Sequence, residues 1–98
     1  MEKSLKRKIG ILAVMVLSKH RRVYGVSKHS IVHSRDEYAE AVIREIETGS
    51  DAHYNTFCSD FSRGEIHSIQ ATVNMIKDKY GMTEDGISKA IRRLNVNA

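Results

Sequence analysis

The chain is expected to fold as an all-α bundle of about five helices, on three observations. Its 98 residues contain no proline and only six scattered glycines, so long uninterrupted helices are easier to build than a sheet of many short strands. Apolar residues recur at steps of three and four in most of the long stretches, the spacing of one helical face. Serine followed three residues later by glutamate stands ahead of two of those stretches, the pattern of a capping box. The length fits a single domain over residues 1–98, in which roughly 60–70% of the unfolded surface can be buried, enough for a modest core that self-association would help.

The first helix is expected over residues 3 to about 20, with Leu5, Ile9, Leu12 and Val16 on one face. Ile11, Val14, Met15 and Leu17 widen that face beyond the stripe of a surface helix, so the segment must be largely covered. The apolar run from Ile9 to Leu17 is about half of the roughly 20 residues needed to cross a bilayer, so no membrane span is expected. Lys6-Arg7-Lys8 ahead of that run has the outline of a secretion signal, but the would-be cleavage zone continues into Lys19-His20-Arg21-Arg22, unlike a processing site. The segment therefore reads as a core or subunit-interface helix. Residues 21–34 carry no clean helical stripe, and a loop or short hairpin near 23–32 fits them.

Ser34-Arg35-Asp36-Glu37 is the first capping box and opens a helix whose core stripe is Tyr38, Val42 and Ile46, flanked by Ala39 and Ile43. Thr48-Gly49-Ser50 ends it, and Glu40 and Arg44 are spaced as an i, i+4 ion pair on its outer face. Tyr54, Phe57, Cys58 and Phe61 predict a short helix over 51–61 that inserts its aromatics into the core. Ser62-Arg63-Gly64-Glu65 is the second capping box. It opens a helix with Ile66, Ile69, Val73, Ile76 and Tyr80 inward, too few heptads for a coiled coil.

The run from Lys79 to Leu94 is the most informative. Gly81 stands where the preceding helix needs a left-handed residue, and Thr83 where the next needs a side-chain oxygen for its free N–H groups. Ile87, Ala90, Ile91 and Leu94 turn one stripe inward, which leaves Ser88, Lys89, Arg92 and Arg93 on an outer, basic and polar face. Glu84 and Asp85 suit the positive end of the helix dipole. With apolar Ile76, Tyr80 and Met82 around the turn glycine and Ile87 and Ala90 beyond it, the segment resembles the helix-turn-helix of phage, plasmid and operon regulators. The resemblance covers about a quarter of the chain. It implies that the last helix enters the major groove of double-stranded DNA, with Thr83, Ser88 and Lys89 near base edges or phosphates and Arg92 and Arg93 on the backbone.

The formal charge of +4 is unevenly distributed. Residues 1–35 hold Lys3, Lys6, Arg7, Lys8, Lys19, Arg21, Arg22, Lys28 and Arg35 against Glu2 alone, whereas residues 36–62 hold Asp36, Glu37, Glu40, Glu45, Glu47, Asp51 and Asp60 against Arg44 alone. A basic end and a mildly basic final helix suit a polyanion, with Lys3, Lys6, Arg7 and Lys8 following phosphates as a mobile arm. The acidic middle suits a protein partner or a matching subunit.

No catalytic chemistry is legible. The single cysteine, Cys58, excludes an intrachain disulfide and fits the reducing cytoplasm as a small apolar filler. His29 and His33 are four apart but lack a third ligand at a recognised spacing, so no metal is expected. His20 extends a basic patch beside Arg21 and Arg22, and His53 and His67 fall at helix flanks. There is no glycine-flanked nucleophile, phosphate loop or dinucleotide fingerprint, so neither an enzyme nor a cofactor is expected.

The expectation is thus a cytoplasmic, non-enzymatic, sequence-specific transcriptional regulator that binds DNA as a homodimer or higher oligomer. Its site residues are Thr83, Ser88, Lys89, Arg92, Arg93, Lys3, Lys6, Arg7 and Lys8. The alternative is a protein-interaction module, an adaptor or inhibitor, that presents Asp36, Glu37, Glu40 and Glu47. A third reading attaches the basic N-terminal helix to an anionic membrane surface.

Overall fold

The computed structural model describes residues 2–25, 33–48 and 60–96. Its elements are α1 (Lys3–Tyr24), α2 (Arg35–Thr48), α3 (Arg63–Met75), which runs on through a π-helical turn at Ile76–Tyr80, and α4 (Glu84–Val96). Among the described residues there is no strand, and four helices stand where about five were expected. The aromatic helix expected over 51–61 lies outside the described residues except at its end, Asp60 and Phe61. So does the hairpin expected near 23–32, apart from Val23, Tyr24 and Gly25. Val23 and Tyr24 correct that expectation, because they complete the last turn of α1. Nothing from Lys19 to Tyr24 breaks a helix, and the chain leaves it only at Gly25, whose N–H reaches the Arg21 carbonyl at 2.8 Å.

Both capping boxes form. The Glu37 N–H donates to Ser34 Oγ at 3.2 Å while Glu37 Oε1 accepts from the Ser34 N–H at 3.4 Å. The Glu65 N–H donates to Ser62 Oγ and the Ser62 N–H to Glu65 Oε1 at 3.1 Å. Glu40 does not pair with Arg44 as its spacing suggested. It takes the Lys6 ammonium of α1 at 2.9 Å, because α2 crosses α1 closely enough for a longer-range partner to win.

α1 is the hub and packs against all three other helices. Ile9, Leu12, Ala13 and Leu17 are its buried side chains, with Gly10 buried beside them. They meet Tyr38, Ala39, Ala41 and Val42 of α2, Ile66, Ile69 and Val73 of α3, Ile76, and Ile87, Ala90 and Leu94 of α4 in one core. Each fully buried aliphatic side chain stabilises by about 1.5–3 kcal/mol. Leu5 and Val16, expected in the core stripe, sit at its margin. α2 draws the Gly10 side of α1 inward instead: a Cβ at Gly10 would lie 2.6 Å from the Arg35 carbonyl oxygen and 3.4 Å from Ala39 Cβ.

The helices take definite directions around α1. Ser4 and Lys8 meet Glu84 and Ser88 at one end, and Met15, Ser18 and Arg22 share a groove with Leu94 and Asn95 at the other, so α4 runs parallel to α1. α3 runs antiparallel, with His20 against Gly64 and His67 and Val16 near Ser68 and Ala71.

Between α2 and α3 lies a buried polar pair. The Tyr38 hydroxyl donates to Glu65 Oε2, and Glu65 is only 1% exposed. Burial, and then the hydrogen bond to Glu65, push the Tyr38 hydroxyl well above its ordinary ionisation range. The Tyr38 ring also packs against Phe61, which stacks on His33 at 4.2 Å between ring centres.

Candidate nucleic-acid interface

The corner before α4 is built from backbone needs. Gly81 has φ 78° and ψ 163°, a positive φ that favours glycine but with an extended ψ in place of the left-handed helical conformation expected. The Gly81 N–H closes the π turn onto the Ile76 carbonyl at 2.7 Å, and Gly25 ends α1 in the same conformation, φ 80° and ψ 178°, without such a turn. Thr83 then caps α4 as expected, accepting from the Gly86 N–H at 3.0 Å. Gly86 permits the tight return: a Cβ there would stand 2.1 Å from the Tyr80 carbonyl oxygen and 3.0 Å from that of Gly81.

The N-terminal half of α4 is tied to α1. Glu84 Oε1 accepts from Ser4 Oγ at 2.8 Å and lies 3.0 Å from Lys8 Nζ, and the same ammonium donates to Ser88 Oγ at 2.9 Å. The Lys8 hydrogen bond, followed by that of Ser4, holds the Glu84 carboxyl below its usual range. Thr83 and Ser88 therefore both accept a hydrogen bond from within the protein, one from the Gly86 N–H and one from Lys8.

The C-terminal half of α4 is open. Lys89 is exposed and pairs along the helix with Asp85 at 3.3 Å, both side chains largely in solvent, where such a pair contributes little. Arg92 and Arg93 are exposed, and among the described residues no carboxylate lies within ion-pair distance of either.

Lys3, Lys6, Arg7 and Lys8 are not an arm; they form the first turns of α1. Lys6 is engaged by Glu40 and Lys8 by Glu84, and the Glu40 hydrogen bond raises the Lys6 ammonium above its ordinary value. Lys3 and Arg7 remain exposed, beside Arg35 and Asp36 of α2. The acidic face of α2 is partly consumed as well. Glu40 holds Lys6, and Glu37 is tied to Ser34 and to His33 Nδ1 at 2.7 Å, with the His33 bond the main cause of its lowered pKa.

Sequence reasoning missed this interlock, since Ser4 and Lys8 are about eighty residues from Glu84 and Ser88 and no local spacing signals the pairing. It named the basic patch of His20, Arg21 and Arg22 but missed that packing adds Arg63 to it and sets its cations on two sides of α1. Lys19 and Arg22 line the groove that α1 forms with Leu94 and Asn95. Arg21 lines a cavity on the α3 side together with His20, Tyr24, Arg63 and His67. Among the described residues no three His, Cys, Asp or Glu side chains are grouped so as to hold a metal ion, and no helix is long and apolar enough to cross a membrane. No family model, curated protein or solved structure matches the chain.

Proposed function

We propose that the chain is a cytoplasmic, sequence-specific DNA-binding transcriptional regulator that works as a dimer or higher oligomer and meets the duplex with the outer face of α4. The observation that carries this reading is the state of Arg92 and Arg93, exposed side by side on the last helix with no carboxylate of the described residues in reach. A cation already neutralised within the protein gains little from a phosphate, whereas an unpaired one releases a condensed counterion on contact. Lys89 adds a third cation, because its solvent-exposed link to Asp85 is weak enough to exchange for phosphate.

In this reading Arg92, Arg93 and Lys89 grip the backbone and set the register. Thr83 supports them by fixing the start of α4, and Ser88 reaches the DNA only together with Lys8, as a joined hydroxyl and ammonium. The tie between Lys8, Glu84 and Ser88 acts as a strut that keeps α4 at a fixed attitude to α1. Paired subunits would read half-sites about 34–36 Å apart, one turn of the duplex. The protein-interaction alternative is weaker, because Glu37 and Glu40 already have partners within the fold.

Selection from random duplexes, with the mass of the recovered complex measured, tests the proposal. An enriched site with two related halves and two chains per duplex is the expected result. Duplexes indistinguishable from the input pool, with no complex at low salt, would overturn it.

A further inference from the structure

We infer that a second nucleic-acid contact lies at the end of the bundle where α1 finishes, with duplex phosphates held by Lys19, Arg21, Arg22 and Arg63. The inference rests on the reading of the chain as a duplex-DNA binder, but it places phosphates on surfaces of α1 and α3 that this reading does not use.

Folding pairs some of the cations of α1 and leaves others. Near its start, Lys6 and Lys8 each have a carboxylate within 3.0 Å, whereas Lys3 and Arg7 have none among the described residues. Near its end, Lys19, Arg21 and Arg22 have no carboxylate of the described residues within ion-pair distance, and neither does Arg63 at the start of α3. Arg21 and Arg63 line one cavity of about 500 Å³, with His20, Tyr24 and His67 on the same wall. The imidazoles of His20 and His67 are 5.6 Å apart between ring centres, and each supplies at least one N–H donor. The carboxylate that lines this cavity, Glu65, is buried, with its oxygens taken by the Tyr38 hydroxyl and the Ser62 N–H. It is therefore poorly placed to balance the two guanidiniums. Packing α1 against α3 gathers like charges at a solvent-open wall, and an anion there relieves the repulsion.

The shape of the patch selects a polyanion over a single small ion. Lys19 and Arg22 are one turn apart and line the groove on the α4 side, whereas Arg21, on the same turn, lines the cavity on the α3 side. The cations thus flank α1 on both sides. A chain of phosphates can satisfy both flanks at once, and an isolated phosphate only one. Lys19, Arg22 and Arg63 are exposed and Arg21 is half-buried at the cavity wall, and surface cations contribute sequence-independent affinity and steep salt dependence.

The test is the slope of log affinity against log salt for the full chain and a labelled duplex of mixed sequence. Arg21→Ala, Arg22→Ala and Arg63→Ala are each expected to lower the slope by about one, Arg63→Lys to restore it, and Arg44→Ala, an exposed cation of α2, to leave it unchanged. Urea unfolding of each variant guards against loss of fold. If Arg92→Ala and Arg93→Ala lower the slope while the Arg21, Arg22 and Arg63 variants match the wild type, the inference is overturned and the reading of α4 stands. If the reverse holds, the inference stands and the reading of α4 falls. Wild-type protein that retains no duplex at low salt, or that binds only anionic phosphatidylserine vesicles, would overturn both.

Discussion

The Lys8 ammonium lies 3.0 Å from the Glu84 carboxylate and 2.9 Å from the Ser88 hydroxyl, which binds the first helix to the start of the last. Glu84→Gln removes a negative charge beside the proposed interface and releases Lys8 for phosphate. Duplex affinity is expected to rise and the salt slope to steepen by about one, read by fluorescence anisotropy across a salt series. An unchanged affinity and salt slope would show that this end of α4 does not approach DNA.

The same carboxylate has a signature at low pH. Its folded pKa is lowered from an ordinary 4.5 by Lys8 and Ser4, so its contribution to stability is present above that value and lost as pH falls through the folded pKa. Urea unfolding between pH 5 and 3 should show Glu84→Gln losing less stability than the wild type, and parallel curves would refute the link.

Tyr38→Phe strands Glu65 Oε2 in the interior without its donor and is expected to cost about 1–3 kcal/mol. The alkaline limb gives a second reading. The Tyr38 pKa is raised in the folded state above the ordinary 10.0, so above about pH 10 the unfolded chain loses this proton while the folded one keeps it, and stability falls by up to about 1.4 kcal/mol per pH unit. Tyr38→Phe should lack that component when both proteins are unfolded in urea from pH 9 to 11. Identical alkaline slopes would mean that Tyr38 ionises freely.

Gly86→Ala sets a methyl group against the Tyr80 and Gly81 carbonyls. It should destabilise by about 1–3 kcal/mol despite alanine's better helix propensity. At Gly64 the nearest obstacle is the His20 imidazole at 3.2 Å, the tip of a side chain that can turn, so Gly64→Ala should fall between neutral and about 1 kcal/mol stabilising. Equal effects in urea denaturation would contradict the close return at Tyr80.

The local grammar of the chain was legible because it depends on neighbours three or four residues apart. Ser34 with Glu37, Ser62 with Glu65, and Thr83 ahead of Gly86 all cap as their spacing indicated, and Ile87, Ala90 and Leu94 are buried. What escaped is set by packing. Whether Lys8 is a free cation or a strut depends on α4 lying parallel to α1, and whether Glu40 takes Arg44 or Lys6 depends on where α2 crosses. The π turn at Ile76–Tyr80 has no local signature either, and the cap at Thr83 forms beyond it as its spacing indicated.

The central claim is that the exposed cations on α4 engage a duplex, and the most direct measurement is the salt dependence of duplex binding for the wild type beside the triple variant Lys89→Ala, Arg92→Ala, Arg93→Ala. A steep wild-type slope that the triple variant reduces by about three is the predicted result. A wild type and triple variant with the same slope, or a wild type that leaves the duplex free at the lowest salt, would contradict it.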